Sequence, residues 1–224
     1  MEAITHIPHW VLPFAGRDVV LNATTLLMSW VVMAVLVALG MAVSRRPTLV
    51  PGALQSLAEV VVGGFRDLVR ETLGKRGPRY YPLVLTLFIF ILISNWLGMI
   101  PFLQEPTKDL NTTLILALIA FLTAQAAAVK AKGWRAYLKE YFQPFFFMFP
   151  LNVIGEAAKV VSMSFRLYGN VMGGSIIILV VSHLVHHLIF PPLLSAFFGL
   201  FVGTVQAFVF AMLTLTYISV ALQE

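Results

Sequence analysis

Apolar runs long enough to cross a bilayer alternate with short polar segments along this chain. The first run spans about Leu21 to Val43 and ends at Ser44-Arg45-Arg46-Pro47. Residues 54–73 behave differently. Leu54, Leu57, Ala58, Val61, Phe65, Leu68, Val69 and Leu73 recur at helical spacing, while Glu59, Arg66, Asp67, Arg70 and Glu71 take the other face. That pattern predicts an amphipathic helix lying on the membrane surface; a solvated linker helix is the alternative. Residues 82–129 read as a helical hairpin, with spans Pro82 to Leu103 and Leu110 to Val129 joined by a short loop. After the basic loop "KAKGWRAYLKE", the segment "PFFFMFP" returns to the membrane. Two long helices follow within residues 148–222, about Leu151 to His187 and Leu193 to Ala221, separated by Phe190-Pro191-Pro192. Both exceed the ~20 residues of a perpendicular span, which implies strong tilt or extension beyond the bilayer. The expected fold is therefore all-α: a single polytopic membrane domain, residues 1–224, with about five crossings and residues 1–20 as an arm.

Composition agrees with this pattern. The 224 residues are 59% hydrophobic and 11% charged, against about 25% charged in ordinary globular domains. The net charge of +5 could suggest a nucleic-acid partner, but the basic residues flank apolar spans. Arg45, Arg46, Arg66, Arg70, Lys75, Arg76 and Arg79 form one group, and Lys130, Lys132, Arg135 and Lys139 form another. They read as topology determinants, which put the N-terminus outside and the C-terminus in the cytoplasm. The absence of cysteine excludes disulfides and thiol chemistry. No secretory or transit signature precedes the first span, so that span is expected to act as its own insertion signal, with a bacterial inner membrane as the simplest location.

The informative exception to the apolar pattern is "SMSFRLYGN", Ser162 to Asn170. Arg166 cannot shed its proton, and from Leu167 to Gln223 there is no Asp, Glu, Lys or Arg. At about 100° per residue, Glu156, Lys159, Arg166 and Asn170 share one side of a helix, extended by Gly173 and Gly174. Ser164, Tyr168, Ser175, Ser182 and His186 lie opposite. Lipid satisfies neither face, so each should meet protein or water. An Arg at the centre of a membrane helix costs about 2.5–3.5 kcal/mol on insertion scales. It therefore needs either an acid of its own chain, from Glu156, Glu105, Asp109 or Asp67, or a carboxylate brought by another subunit. Glu156 is better placed to pair with Lys159. On the last helix Ser195, Gly199, Gly203, Gln206 and Tyr217 fall on one stripe, with Thr214 nearby. Gln206 could bind a guanidinium or a water, or simply join two helices. "HLVHH", His183 to His187, could bind a metal at i,i+4, but di-iron membrane enzymes need several such boxes and this chain has 5 histidines in all. No phosphate-binding Gly-rich loop occurs. A secondary transporter using Arg166 for an anion is a further alternative, although no internal repeat is visible.

"SMSFRLYGN", preceded by "NVIGEAAK" and followed by "VQAFVFAMLTLTYIS", resembles subunit a of the rotary F-type ATP synthases, as do "NWLGMIP" and "PTKDLNTT". The resemblance covers most of the chain from about Leu83. It implies a stator channel, not catalytic alone and without cofactor or metal, that works beside a c-subunit ring with peripheral-stalk b subunits and the remaining synthase subunits. Arg166 matches the family's essential arginine, facing a ring carboxylate; Asn170 and Gln206 match positions lining that contact. The two polar faces would belong to two access paths. Relatives often carry an acid or histidine where this chain has Ser175 and Gly199, which leaves His183, His186 or water and hydroxyl chains to relay protons, or implies sodium transport.

Overall fold

The computed structural model describes residues 9–14, 17–44, 52–100, 103–142, 145–184 and 190–223. The chain opens with an antiparallel hairpin, β1 (His9–Phe14) and β2 (Arg17–Asn22), in which Trp10 pairs with Leu21 and Leu12 with Val19. The elements that follow among the described residues are helical: α1 (Ala23–Ser44), α2 (Ala53–Leu73), α3 (Gly77–Leu97), α4 (Leu110–Lys132), α5 (Trp134–Tyr141), α6 (Phe149–Leu184), α7 (Phe190–Ala196) and α8 (Gly203–Gln223). The all-α expectation holds for the membrane domain, and the hairpin is the addition that the N-terminal sequence did not disclose. Among the described residues, five helical segments are long and apolar enough to cross a membrane.

The core is built from α3, α4, α6 and α8, with α3 packed on α8 and α4 packed on both α6 and α8. Phe210, Leu215 and Ile218 of α8, Val84 and Ile91 of α3, Ala117 and Ala120 of α4, and Met163 and Leu167 of α6 are buried together. Alanines on α4 let its neighbours approach closely, as small residues do where lipid supplies no hydrophobic drive. The inner part of α2 packs on this core. Phe65 and Val69 are buried, the Phe65 ring packs at a tilt against Phe88 with centroids 4.5 Å apart, and the Tyr81 hydroxyl donates to the Val62 carbonyl. Leu57 and Val60 of the same helix stay exposed. By contrast α1 contributes only Ala23 and Val32 to the interior, and Trp30 is 70% exposed. Such an apolar surface requires lipid or another chain.

Two helix starts differ from the sequence expectation. α3 begins at Gly77 rather than Pro82, because Pro78 stands in the first turn, where its missing N–H costs nothing. α7 begins at Phe190, so the Pro191-Pro192 pair opens the final helical segment instead of separating two helices from a distance. Between α7 and α8, Phe197–Val202 winds as a π-helix. Such bulges commonly mark functional positions, and hydrophobic periodicity does not reveal one.

Candidate functional site

Two of the motifs singled out in the sequence form the scaffold. In "NWLGMIP", Asn95 is buried; its Nδ2 donates to the Gly203 carbonyl at 3.0 Å and its Oδ1 accepts from Thr107 Oγ1 at 2.8 Å. The Trp96 indole donates to Thr204 Oγ1 at 3.0 Å. A Cβ on Gly203 would lie 2.9 Å from Asn95 Cβ, and one on Gly199 would lie 2.4 Å from Met99 Cγ. Glycine at these two positions is therefore what lets the π segment and α8 lie against α3. In "PTKDLNTT", a 3-10 turn at Pro106–Lys108 carries Thr107 to Asn95, and the Asp109 carboxylate caps α4 by accepting from the Asn111 N–H at 2.9 Å. Thr113 Oγ1 and Ser164 Oγ share a hydrogen bond of 3.0 Å. Ser164 thus joins α6 to α4 and does not open onto water, so the polar face opposite Arg166 is partly closed by protein.

Arg166 itself lies on the exposed side of α6. Among the described residues it forms no hydrogen bond or ion pair. Three of the acids that could have neutralised it lie elsewhere. Glu156 pairs with Lys159 at 2.5 Å and accepts from Gln125 Nε2 at 2.9 Å, Asp109 caps α4, and Glu105 lies over Gly98. Around Arg166 the helix surface is low: Cβ atoms built on Gly155, Gly169 and Gly173 would meet nothing within 4 Å. One turn along, Asn170 Nδ2 donates to Gln206 Oε1 at 2.7 Å, and Gln206 is 5% exposed. Gln206 therefore meets Asn170 rather than the guanidinium.

Two cavities flank this position along α6. A small one of about 40 Å3 lies between α3, α6, α7, the π segment and the start of α8. Ser175, Ser195 and Gly199 line it, with the Asn170–Gln206 pair at one side and Glu105 at another. A large open one of about 1090 Å3 lies between α4, α5, α6 and α8. It holds Glu156, Lys159, Gln125, Tyr137, Tyr141 and Tyr217, and Lys159 sits 5.7 Å from the Tyr217 ring centroid. The Tyr137 hydroxyl donates to Gln125 Oε1 at 2.7 Å; burial and that tyrosine pair push the Tyr141 hydroxyl pKa upward. Lys159 of the large cavity and Asn170 of the small one are separated by about 16 Å of helix rise, and Arg166 lies between them.

The stripe Ser195, Gly199, Gly203, Gln206 is thus brought to one cavity, whereas Tyr217 belongs to the other. His183 is exposed, with Nδ1 3.0 Å from the Leu179 carbonyl, and lines neither cavity; His186 and His187 lie outside the described residues. Glu105 is the residue whose place sequence reasoning missed. Its signal was the Gly98 that must stay bare for it, since a Cβ there would come within 1.7 Å of Glu105 Oε1.

The fold and site define a multi-pass membrane protein with polar side chains gathered between its two C-terminal helical segments and with Arg166 on the exposed face of α6, unpaired among the described residues. The ATP synthase A chain family model matches residues 26–219, and the chain belongs to the ATP synthase subunit a family. It is 39% identical over 196 residues to ATP synthase subunit a of Moorella thermoacetica, covering 88% of this chain and 89% of that protein. It is 40% identical over 206 residues to ATP synthase subunit a 2 of Acaryochloris marina (91% and 86%). It is 35% identical over 207 residues to the Geotalea uraniireducens subunit a (91% and 89%).

Proposed function

We propose that this chain is the ion-translocating stator subunit of an F-type ATP synthase. In this reading Arg166 faces ionisable carboxylates carried past it on a c-subunit ring, and the two cavities belong to two half-channels. The observation that carries the proposal is the position of an exposed, unpaired guanidinium between two separated polar cavities, on a helix face kept low by glycine.

The chemistry follows from charge. A fixed cation favours the deprotonated form of a carboxyl group that reaches it, so an arriving ring carboxyl releases its ion there. The same cation opposes passage of a positive ion from one cavity directly to the other. Ions then travel from one cavity to the other only on the ring, and the transmembrane potential becomes torque, at about 2.3 kcal/mol per charge per 100 mV. The Asn170–Gln206 pair fixes amide dipoles beside the guanidinium and closes the small cavity toward it.

Orientation follows from the charge distribution. Arg76, Arg79, Lys130 and Lys132 gather at the end of the bundle that holds the large cavity, while Glu105 and Asp109 lie at the other. Positive-inside bias then makes the large cavity cytoplasmic and the small one external, with the N-terminus outside, the C-terminus inside and a bacterial inner membrane as the location. The chain is non-catalytic alone and works with the c-ring, b subunits and the other synthase subunits; the ion is the proton.

The test is Arg166→Ala in the assembled complex. Ion-driven ATP synthesis is expected to fall to background while ATP hydrolysis by the catalytic subunits persists. Near-normal synthesis would overturn the assignment.

A further inference from the structure

The small cavity raises a question of supply. Its α6, α7 and α8 walls offer hydroxyls and amides, Ser175, Ser195, Asn170 and Gln206, and none of these ionises near neutral pH. Among the described residues one ionisable side chain lines it, and that side chain comes from the loop after α3 rather than from either long helix. We infer that Glu105 is the proton-collecting carboxyl of the small cavity, taking protons from the aqueous side and passing them toward the Asn170–Gln206 end. The inference rests on the channel reading above.

Three features fit Glu105 for this task. It is half-buried, so its carboxyl belongs to the cavity wall without losing access to the loop surface. Its position is built: the side chain lies across Gly98, where any Cβ would displace it, and the loop is anchored through Thr107 to the buried Asn95 and through Asp109 to α4. The cavity, at about 40 Å3, has room for about three waters. Those waters can bridge Glu105 to Ser175, Ser195 and Gln206. The transfer balances without another reactant: the carboxylate accepts a proton from bulk water or buffer, and the acid then releases that proton to a cavity water bound for a ring carboxylate.

Desolvation pushes the Glu105 carboxyl up to about 7, and Lys108 opposes that rise. The other polar groups that face it across the cavity, from α3, α6, α7 and α8, are uncharged. A group titrating near the working pH both gains and loses protons readily. Among the described residues at this end of α6, His183 does not line the cavity.

The experiment uses the intact complex in liposomes. ATP synthesis is followed at fixed voltage and fixed internal pH while the pH on the Glu105 side is varied, for wild type, Glu105→Gln, Glu105→Asp and Arg166→Ala. Wild type should show synthesis falling as that pH rises through about 7. Glu105→Gln should lower the rate about tenfold or more at pH ~8 and abolish the inflection. Glu105→Asp, which keeps the acid and shortens its reach, should retain an inflection at an intermediate rate. Wild-type rate and inflection in Glu105→Gln, with Arg166→Ala inactive, would overturn the role of Glu105 and leave the channel reading standing. Active Arg166→Ala would overturn the channel reading itself.

Discussion

At the residue scale, the Arg166 guanidinium has no partner among the described residues, while polar groups near it are satisfied. Glu156 and Lys159 neutralise each other, Asn170 and Gln206 satisfy each other, and Ser164 is tied to Thr113. The Asn170–Gln206 bond joins α6 to α8 beside Arg166. A double-mutant cycle with Asn170→Ala and Gln206→Ala should therefore be non-additive in detergent-unfolding free energy, by about 0.5–1.5 kcal/mol. Additive effects would mean that the two amides act independently. Glu105 makes a second prediction. Its folded-state pKa lies above the ordinary 4.5, at about 7, so the fold favours the neutral acid. The stabilisation this represents is fully present below pH 4.5 and is lost as pH rises through about 7. Glu105→Gln should accordingly raise the thermal midpoint of the complex at pH ~8 and change it little below pH ~4.5, as read by scanning calorimetry at both values.

At the element scale, glycines divide by what stands opposite them. Gly203 has Asn95 against it, whereas Gly173 and Gly169 face open space. Gly203→Ala should destabilise the chain by about 1–3 kcal/mol through overpacking, measured by denaturant titration. Gly173→Leu should leave that stability nearly unchanged and impair recovery of the ring with this subunit on purification. The reverse pattern would place the partner on a different face of α6. How much of this could be read from the sequence depends on the kind of signal. The helices and the Arg166 stripe follow from period and charge, which are local. The Asn95 node, which joins residues more than a hundred positions apart, is tertiary and has no local signature. The π segment was invisible because Phe197 to Val202 carries no polar marker for a changed helical pitch. It carries Gly199 into contact with α3 and keeps it in the small cavity with Gly203 and Gln206. Glu105 read as a loop acid, because sequence spacing does not show that a loop folds back over Gly98.

At the scale of the whole molecule, the bundle is built to be incomplete. Trp30, Val37 and Leu27 of α1 and Ile176, Ile177 and Val180 of α6 are exposed, so the surface is finished by lipid or by other chains. The guanidinium of Arg166 stands on the same side of α6 as its bare glycines, where a partner helix can approach closely. Its two cavities differ in size and in charge, one of about 1090 Å3 at the basic end and one of about 40 Å3 beside Glu105. If the small cavity delivers protons through that carboxyl, ATP synthesis by the reconstituted complex should proceed at full rate in sodium-free buffer; a requirement for added sodium would point to sodium as the transported ion. The most direct measurement is the position of the Arg166 side chain in a structure of the intact, assembled complex. The account predicts its guanidinium within about 4 Å of a carboxyl group carried by another chain. A bidentate pairing with Glu105, Glu156 or Asp109 of its own chain, remote from any partner helix, would contradict it.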